Sequence, residues 1–250
     1  LEASAHKYTR GHLTILAGAA MPGAARLAAA AARRLGVGLV TLHAENRDLA
    51  TLLRAGAPGQ LVSDATLEAL LADARRKAWL AGPGLLPQAA TRSAMHNIIA
   101  AGKTLVADAG ALSAFAGAPD ALRGAAVITP HIGEFIRLFG ALGADRLAAT
   151  RSAAARLGAV VVLKGPDSII AAPDGRVIIN DNAPPSLASA GTGDVLAGAI
   201  AALLTQGMPP FEAAAAAVWL HGAAANAGPA GLIAEDLPPL MAEARLNLSA

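Results

Sequence analysis

The sequence predicts an α/β fold in which a central, mostly parallel sheet carries helices on both faces. Three observations predict it. Short uninterrupted apolar runs recur along the chain, longer alanine-rich segments separate them, and several of the runs end in glycine or a polar residue. A strand covered on both faces reads as a continuous apolar run, and strands alternating with helices build parallel sheets.

The elements follow in order. Strands are expected at residues 13–17, 37–42, 78–81, 104–107, 126–129 and 160–163. Helices are expected between them at 22–35, 64–76, 88–101 and 145–157. Pro22 suits the first of these, because a helix start has no use for its missing N–H. Residues 168–172 and 177–180 flank Pro173, Asp174 and Gly175, a turn-forming triplet, and read as a hairpin added to the sheet. Three helices without an intervening strand follow at 192–205, 210–226 and 235–246, and the tail after Leu246 is expected to fray. No linker and no internal repeat interrupts the pattern, so residues 1–250 form one domain.

Composition excludes several function classes. The chain is 54% hydrophobic and 15% charged, which rules out disorder for most of its length. A net charge of +2, with neither clustered Lys and Arg nor interleaved aromatics, argues against nucleic acid as a partner. The absence of cysteine excludes disulfides, thiolate–zinc sites and thiol nucleophiles, and fits a reducing cytoplasm. The longest strongly apolar stretch, 195–204, is too short to span a bilayer. The first residues, Leu1, Glu2, Ala3 and Ser4, carry neither a starting Met nor a signal-peptide pattern, as expected of a segment cut from a longer chain or left after tag removal.

The strongest chemical motif is Gly191, Thr192, Gly193 and Asp194 at the start of an apolar helix. The unpaired N–H groups of such a start accept phosphate, and Asp194 in the first turn can take a proton from a hydroxyl. Simple helix capping by Asp194 explains the same residues. Lys164 and Gly165 end one strand, and Gly82, Pro83 and Gly84 end another. Ligands bind beyond the carboxyl ends of parallel strands, so both positions suit one, although a solvated lysine and an ordinary turn would read alike. His131 and Glu134, after the strand that ends at Thr129, either face a substrate or cap a helix. Gly23 and Ala24 follow the first strand and are small enough for a ligand to lie against them. Asp108 ends the strand at 104–107. His221 sits inside an alanine-rich helix and reads as a packing histidine. No metal-binding spacing is present, so no structural metal is expected.

Taken together and in order, MPGAARL, AGPGL, VADAGAL, TPHIGEF, VVLKG, AAPDG, ASAGTGDVLAG and VWLHGAAA resemble the ADP/ATP-dependent NAD(P)H-hydrate dehydratases, a family of the ribokinase-like superfamily. The likeness runs from His6 to Leu237. It implies a ribokinase-like fold and a metabolite-repair activity, in which the S epimer of hydrated NADH or NADPH loses water at the expense of ADP or ATP. It implies that Lys164, Gly165, Pro166, Asp167 and Ser168, together with Gly191, Thr192 and Gly193, hold the adenine nucleotide. It implies that Asp194 is the general base at the reacting hydroxyl, and that Ala24, Gly84 and His131 line the hydrate site with it. Asn182 matches less closely. Mg²⁺ is expected with the nucleotide. The likeness further implies a homo-oligomer and, as in many bacterial relatives, an N-terminal epimerase domain on a longer chain. The sequence departs from the family at Tyr8, at Ile132, at Ala190 and across Asn182, Ala183, Pro184 and Pro185. Two other readings remain: a superfamily kinase for a vitamin-precursor alcohol, and a nucleotide-binding protein without activity.

Overall fold

A computed structural model describes residues 6–248. Leu1, Glu2, Ala3 and Ser4 therefore lie outside the described residues, as do the last two residues of the tail expected to fray. Nine strands form one sheet: β1 (His12–Leu16), β2 (Leu39–His43), β3 (Leu61–Ser63), β4 (Ala78–Ala81), β5 (Thr104–Ala107), β6 (Val127–Ile128), β7 (Val160–Leu163), β8 (Ser168–Ala171) and β9 (Val177–Asn180). Their order is β3-β2-β1-β4-β5-β6-β7-β8-β9. Every pair from β3 to β7 is parallel, and β8 and β9 add the antiparallel hairpin.

The helices are α1 (Pro22–Arg34), α2 (Arg47–Arg54), α3 (Leu67–Ala72), α4 (Ala89–Ala100), α5 (Ala109–Ser113), α6 (Ile132–Phe139), α7 (Arg146–Leu157), α8 (Thr192–Thr205), α9 (Pro210–Ala227) and α10 (Leu237–Asn247). Side chains alternate across the sheet because a strand has a period of two. Leu13, Ile15, Leu80, Val106 and Val162 enter a core with α1, α8, α9 and α10. Leu16, Trp79, Leu105, Val161 and Leu163 enter a second core with α4, α6 and α7. Two covered faces explain why the strands read as unbroken apolar runs.

Helix α8 is buried along nearly its whole length from Val195 to Leu204. It can approach α1 closely because Gly198 lies on Ala28; a Cβ there would stand 2.2 Å from the Ala28 carbonyl oxygen. No helix among the described residues is long and apolar enough to cross a membrane.

The structure corrects several boundaries. The helix expected at 64–76 is only Leu67–Ala72. Asp73 ends it by accepting hydrogen bonds from the backbone and guanidinium of Arg75, a local turn that competes with helix. The strand expected at 126–129 shortens to β6, and the helix expected at 235–246 begins as a 3-10 turn before α10. That helix continues through Asn247, past the expected fraying point. Three elements had no counterpart in the sequence reading, the first of them the five-residue α5 after Asp108. Helix α2 is capped by Asn46, whose side chain accepts from the Leu49 N–H. Strand β3 is a three-residue edge strand with Leu61 exposed, too short and too open to show periodicity.

Candidate active site

The strand order reverses between β1 and β4, the place where open α/β sheets bind ligands beyond the carboxyl ends of their strands. The loops after β1 and β4 meet there backbone to backbone. A Cβ on Gly18 would stand 1.8 Å from the Gly84 carbonyl oxygen, and one on Gly84 would stand 2.3 Å from that of Met21. The Met21 carbonyl also accepts from the Ala24 N–H at 3.1 Å. Ala24 and Gly84 thus share one rim.

Beyond β5, β6 and β7 lies a charged cluster. Asp108 is aligned by its N–H, which donates to the Ala81 carbonyl. Ala109, next to it, has φ 44°, a left-handed backbone that costs a non-glycine residue about 1 kcal/mol and marks a held position. Lys164 is aligned by its N–H, which donates to Pro130, and pairs with His131 in a parallel bridge that sets TPH beside LKG. Its ammonium lies 2.7 Å from Asp108 and 3.9 Å from Glu134. Burial opposes the Lys164 charge, but Asp108, Glu134 and Asp194 outweigh it and raise the pKa.

His131 caps α6. Its Nδ1 accepts from the N–H groups of Gly133 and Glu134, while the Glu134 carboxylate accepts from the His131 N–H at 2.9 Å. The capping reading is therefore correct. It leaves the exposed Nε2 edge of the ring as a donor in the neutral form, because Nδ1 is already an acceptor.

Over this cluster stands the start of α8. Gly191 adopts φ 89°, which few other residues tolerate. No side chain caps the helix, so its first N–H groups face outward. The Thr192 hydroxyl donates to the Leu187 and Ser189 carbonyls and anchors the preceding loop, leaving only the Thr192 backbone for a ligand. Gly193 lies close to the Lys164 ammonium. Asp194 has its pKa raised to about 6, first by burial and then by Asp108, with Lys164 pulling it down. A carboxylate tuned toward neutrality suits a general base.

The structure separates the expected loop residues. Lys164 and Ser168 share a cavity with Thr192 and Gly193. The Ser168 hydroxyl donates to Gly165 and closes the turn. Pro166 is exposed, and Asp167 turns to an ion pair with Arg146 that lowers its pKa. Asn182 is engaged with Asn180 and the Trp219 carbonyl, and pins its proline-rich loop onto α9. Asp108 and Glu134, noted as strand-end and helix-start residues, prove to be partners of Lys164. Their signals were an acid at the end of an apolar run, for Asp108, and an acid three residues after a capping residue, for Glu134. A further cavity of about 310 Å³ lies beyond β1–β3, walled by His43, Glu45 and Asp64 and reaching Leu85, the neighbour of Gly84.

A helix start left open to an anion, beside a lysine and a near-neutral carboxylate at the carboxyl edge of a parallel sheet, defines a phosphate-handling α/β protein. The comparisons with known proteins place it more closely. The family model for NAD(P)H-hydrate dehydratase matches residues 13–245, and the chain belongs to that family. It is 40% identical to the ADP-dependent (S)-NAD(P)H-hydrate dehydratase of Neisseria meningitidis, over 94% of this chain and 84% of that one. It is also 40% identical to the bifunctional NAD(P)H-hydrate repair enzyme of Salinibacter ruber, over 93% of this chain but only 48% of the relative, so it spans about half of that protein. The Bacillus subtilis ADP/ATP-dependent NAD(P)H-hydrate dehydratase, co-crystallised with ATP and Mg²⁺, superposes with a TM-score of 0.84 and 30% identity, over 99% of this chain and 93% of that one. Arabidopsis thaliana ribokinase shares the fold at a TM-score of 0.61 and 12% identity, over 92% of this chain and 98% of that one.

Proposed function

We propose that the protein is a hydro-lyase that restores NADH or NADPH from the S epimer of its hydrate, at the expense of ADP or ATP. The observation that carries the reading is Asp194, with a pKa of about 6, at the uncapped start of α8 and beside Lys164. Asp194 takes the proton of the ring hydroxyl as its oxygen attacks the terminal phosphoryl group. The N–H groups of α8 and the Lys164 charge stabilise the negative charge on that group. Hydroxide leaves poorly and phosphate leaves well. The phosphorylated ring therefore expels phosphate, loses a proton from the adjacent carbon and regains its double bond. The products are NAD(P)H, phosphate and AMP, or ADP where ATP is the donor.

Ala24, Gly84 and the His131 ring hold the nicotinamide half, and the cavity beyond β1–β3 supplies room for the distal half of the dinucleotide. No group of three acidic or histidine side chains able to hold a metal exists among the described residues. This fits Mg²⁺ that arrives with the phosphates and keeps most of its waters, with Asp108 and Asp194 the carboxylates that would hold that shell. When bound, its charge offsets that of the transferring phosphoryl group. A cytoplasmic location, which the cysteine-free composition supports, a linked epimerase domain, which the bifunctional relatives support, and a homo-oligomer complete the proposal.

The test is absorbance at 340 nm. Hydrated NADH, Mg²⁺ and protein should give a rise with ADP or with ATP, and the better nucleotide identifies the donor. Phosphorylation of an added alcohol without any rise would overturn the reading in favour of a kinase.

A further inference from the structure

A separate cavity of about 630 Å³ opens at the amino edge of the sheet, the edge opposite the candidate active site. It lies between the last turn of α1, the first residues of β2 and the segment that enters β3. Pockets for drug-sized ligands run to about 300–1,000 Å³, so it has room for a whole small molecule.

Its charge is all of one sign. Arg10, Arg33 and Arg34 line it, and no carboxylate does. None of the three makes an ion pair among the described residues, whereas Arg54, Arg156 and Arg176 pair with Asp64, Asp120 and Glu212. Guanidinium groups gathered around one space repel each other, and an anion placed between them removes that cost.

Support of the helix end does not account for them. Basic groups often sit at a helix C-terminus, where they offset the dipole and bond the last carbonyls. Here the Gln206 amide and the Arg245 guanidinium donate to the Leu35 carbonyl, and Nε of Arg10 donates to that of Gly36 at 2.8 Å. Arg33 and Arg34 are not needed for it. The bond through Nε also fixes Arg10 and leaves its terminal nitrogens for a ligand. A Cβ on Gly59 would stand 2.2 Å from Nη2 of Arg33, so that guanidinium lies against bare backbone in the cavity wall.

Paired N–H donors of this kind suit phosphate oxygens. The wall beside them is apolar, with Leu39, Ala57 and the exposed Leu61. An inorganic anion would leave that surface to water. A nucleoside phosphate covers it with the base and sets its phosphates among the arginines. We propose that this cavity binds a nucleoside di- or triphosphate, at a site separate from the one that serves the reaction. None of its residues belongs to that site, so the inference stands apart from the dehydratase reading.

Calorimetric titration of the whole chain with ADP tests it. Two equivalents should bind, and the double variant Arg33→Ser, Arg34→Ser should bind one, each lost charged contact weakening the other by about tenfold or more. Both changes fall on exposed side chains, so the variant should melt with the wild type when nucleotide is absent. Arg33→Lys with Arg34→Lys, which keeps the charge without the planar fork, should retain part of the affinity. Inorganic pyrophosphate should displace the lost equivalent about tenfold less effectively than ADP, for want of a base against the apolar wall. Binding that survives in full in the double variant overturns the proposal, as does a wild type that binds no ADP. Pyrophosphate as effective as ADP also overturns it, since the wall would then read no nucleoside. A single equivalent in the wild type, lost in the double variant, would uphold this site and overturn the nucleotide-dependent reading of the other.

Discussion

Asp194, the proposed base, is a side chain whose burial works against the fold. Its pKa is raised to about 6, so folding favours its protonated form. That stabilisation is complete below the unfolded value near 4 and is lost as pH rises through about 6. At neutral pH the charged carboxylate therefore works against the native state. Asp194→Asn should abolish repair, by about 10³-fold or more if the residue is the base. The same change should raise the melting temperature at pH 7.5 and leave it unchanged at pH 4. Two pH units correspond to about 3 kcal/mol, which solvent screening of this partly exposed group reduces to about 1 kcal/mol. Calorimetry at the two pH values checks the sign. A variant that is inactive yet less stable at pH 7.5 would mean that Asp194 is held by contacts that outweigh its burial.

Helix α8 carries the uncapped N–H groups, and its position depends on one small residue. Gly198 lets it cross α1 at backbone contact, where a Cβ would stand 2.2 Å from a carbonyl oxygen and 2.6 Å from the Ala28 Cα. No rotamer relieves a clash between backbones, so the helices must separate. Gly198→Ala should cost about 2–3 kcal/mol in urea unfolding, and should reduce nucleotide affinity by shifting the start of α8. Its gain in helix propensity, about 1 kcal/mol, does not offset the clash. A second element-scale prediction concerns α5. Ala109 holds φ 44° beside Asp108, so Ala109→Gly should raise stability by about 1 kcal/mol. An unchanged or lower urea midpoint would show that the left-handed backbone there carries no strain.

Across the whole molecule, pH acts through histidines buried in neutral form. His12, bonded to Thr41 beneath the sheet and near the Arg76 guanidinium, has its pKa lowered to about 4 by burial and then by Arg76. His221 is likewise lowered to about 4, and His43 is lowered as well, in both cases first by burial. A lowered histidine binds fewer protons folded than unfolded. Its stabilisation is therefore present above about 6.5 and is lost as pH falls toward 4. Asp194 acts in the opposite sense but is one group against three. Net stability should fall by about 2 kcal/mol between pH 7 and 5, read as a drop of several degrees in melting temperature. Activity should also fall with acid, through about pH 6, as Asp194 becomes protonated. A profile flat from pH 5 to 8 would argue against Asp194 as the base.

The sequence by itself determined the alternation of strands and helices, the added hairpin, and the glycine and polar residues that end the strands. Each of these is written locally, in apolar runs, in turn chemistry and in the need for a glycine at Gly191. It also carried the family, because the motifs stand in order along the chain. Short elements escaped: α2 and β3 are set by a cap and an edge pairing rather than by a long periodic pattern. Only the tertiary structure brought Lys164 to Asp108, 56 residues away, and set Glu134 and Asp194 around the same ammonium. It alone separated Ser168, in the cavity, from Asp167, turned to Arg146, and buried His221 deeply enough to lower its pKa to about 4. The physical reason is common to all three: burial and the field of neighbouring charges belong to positions in space, and the distance along the chain does not encode them.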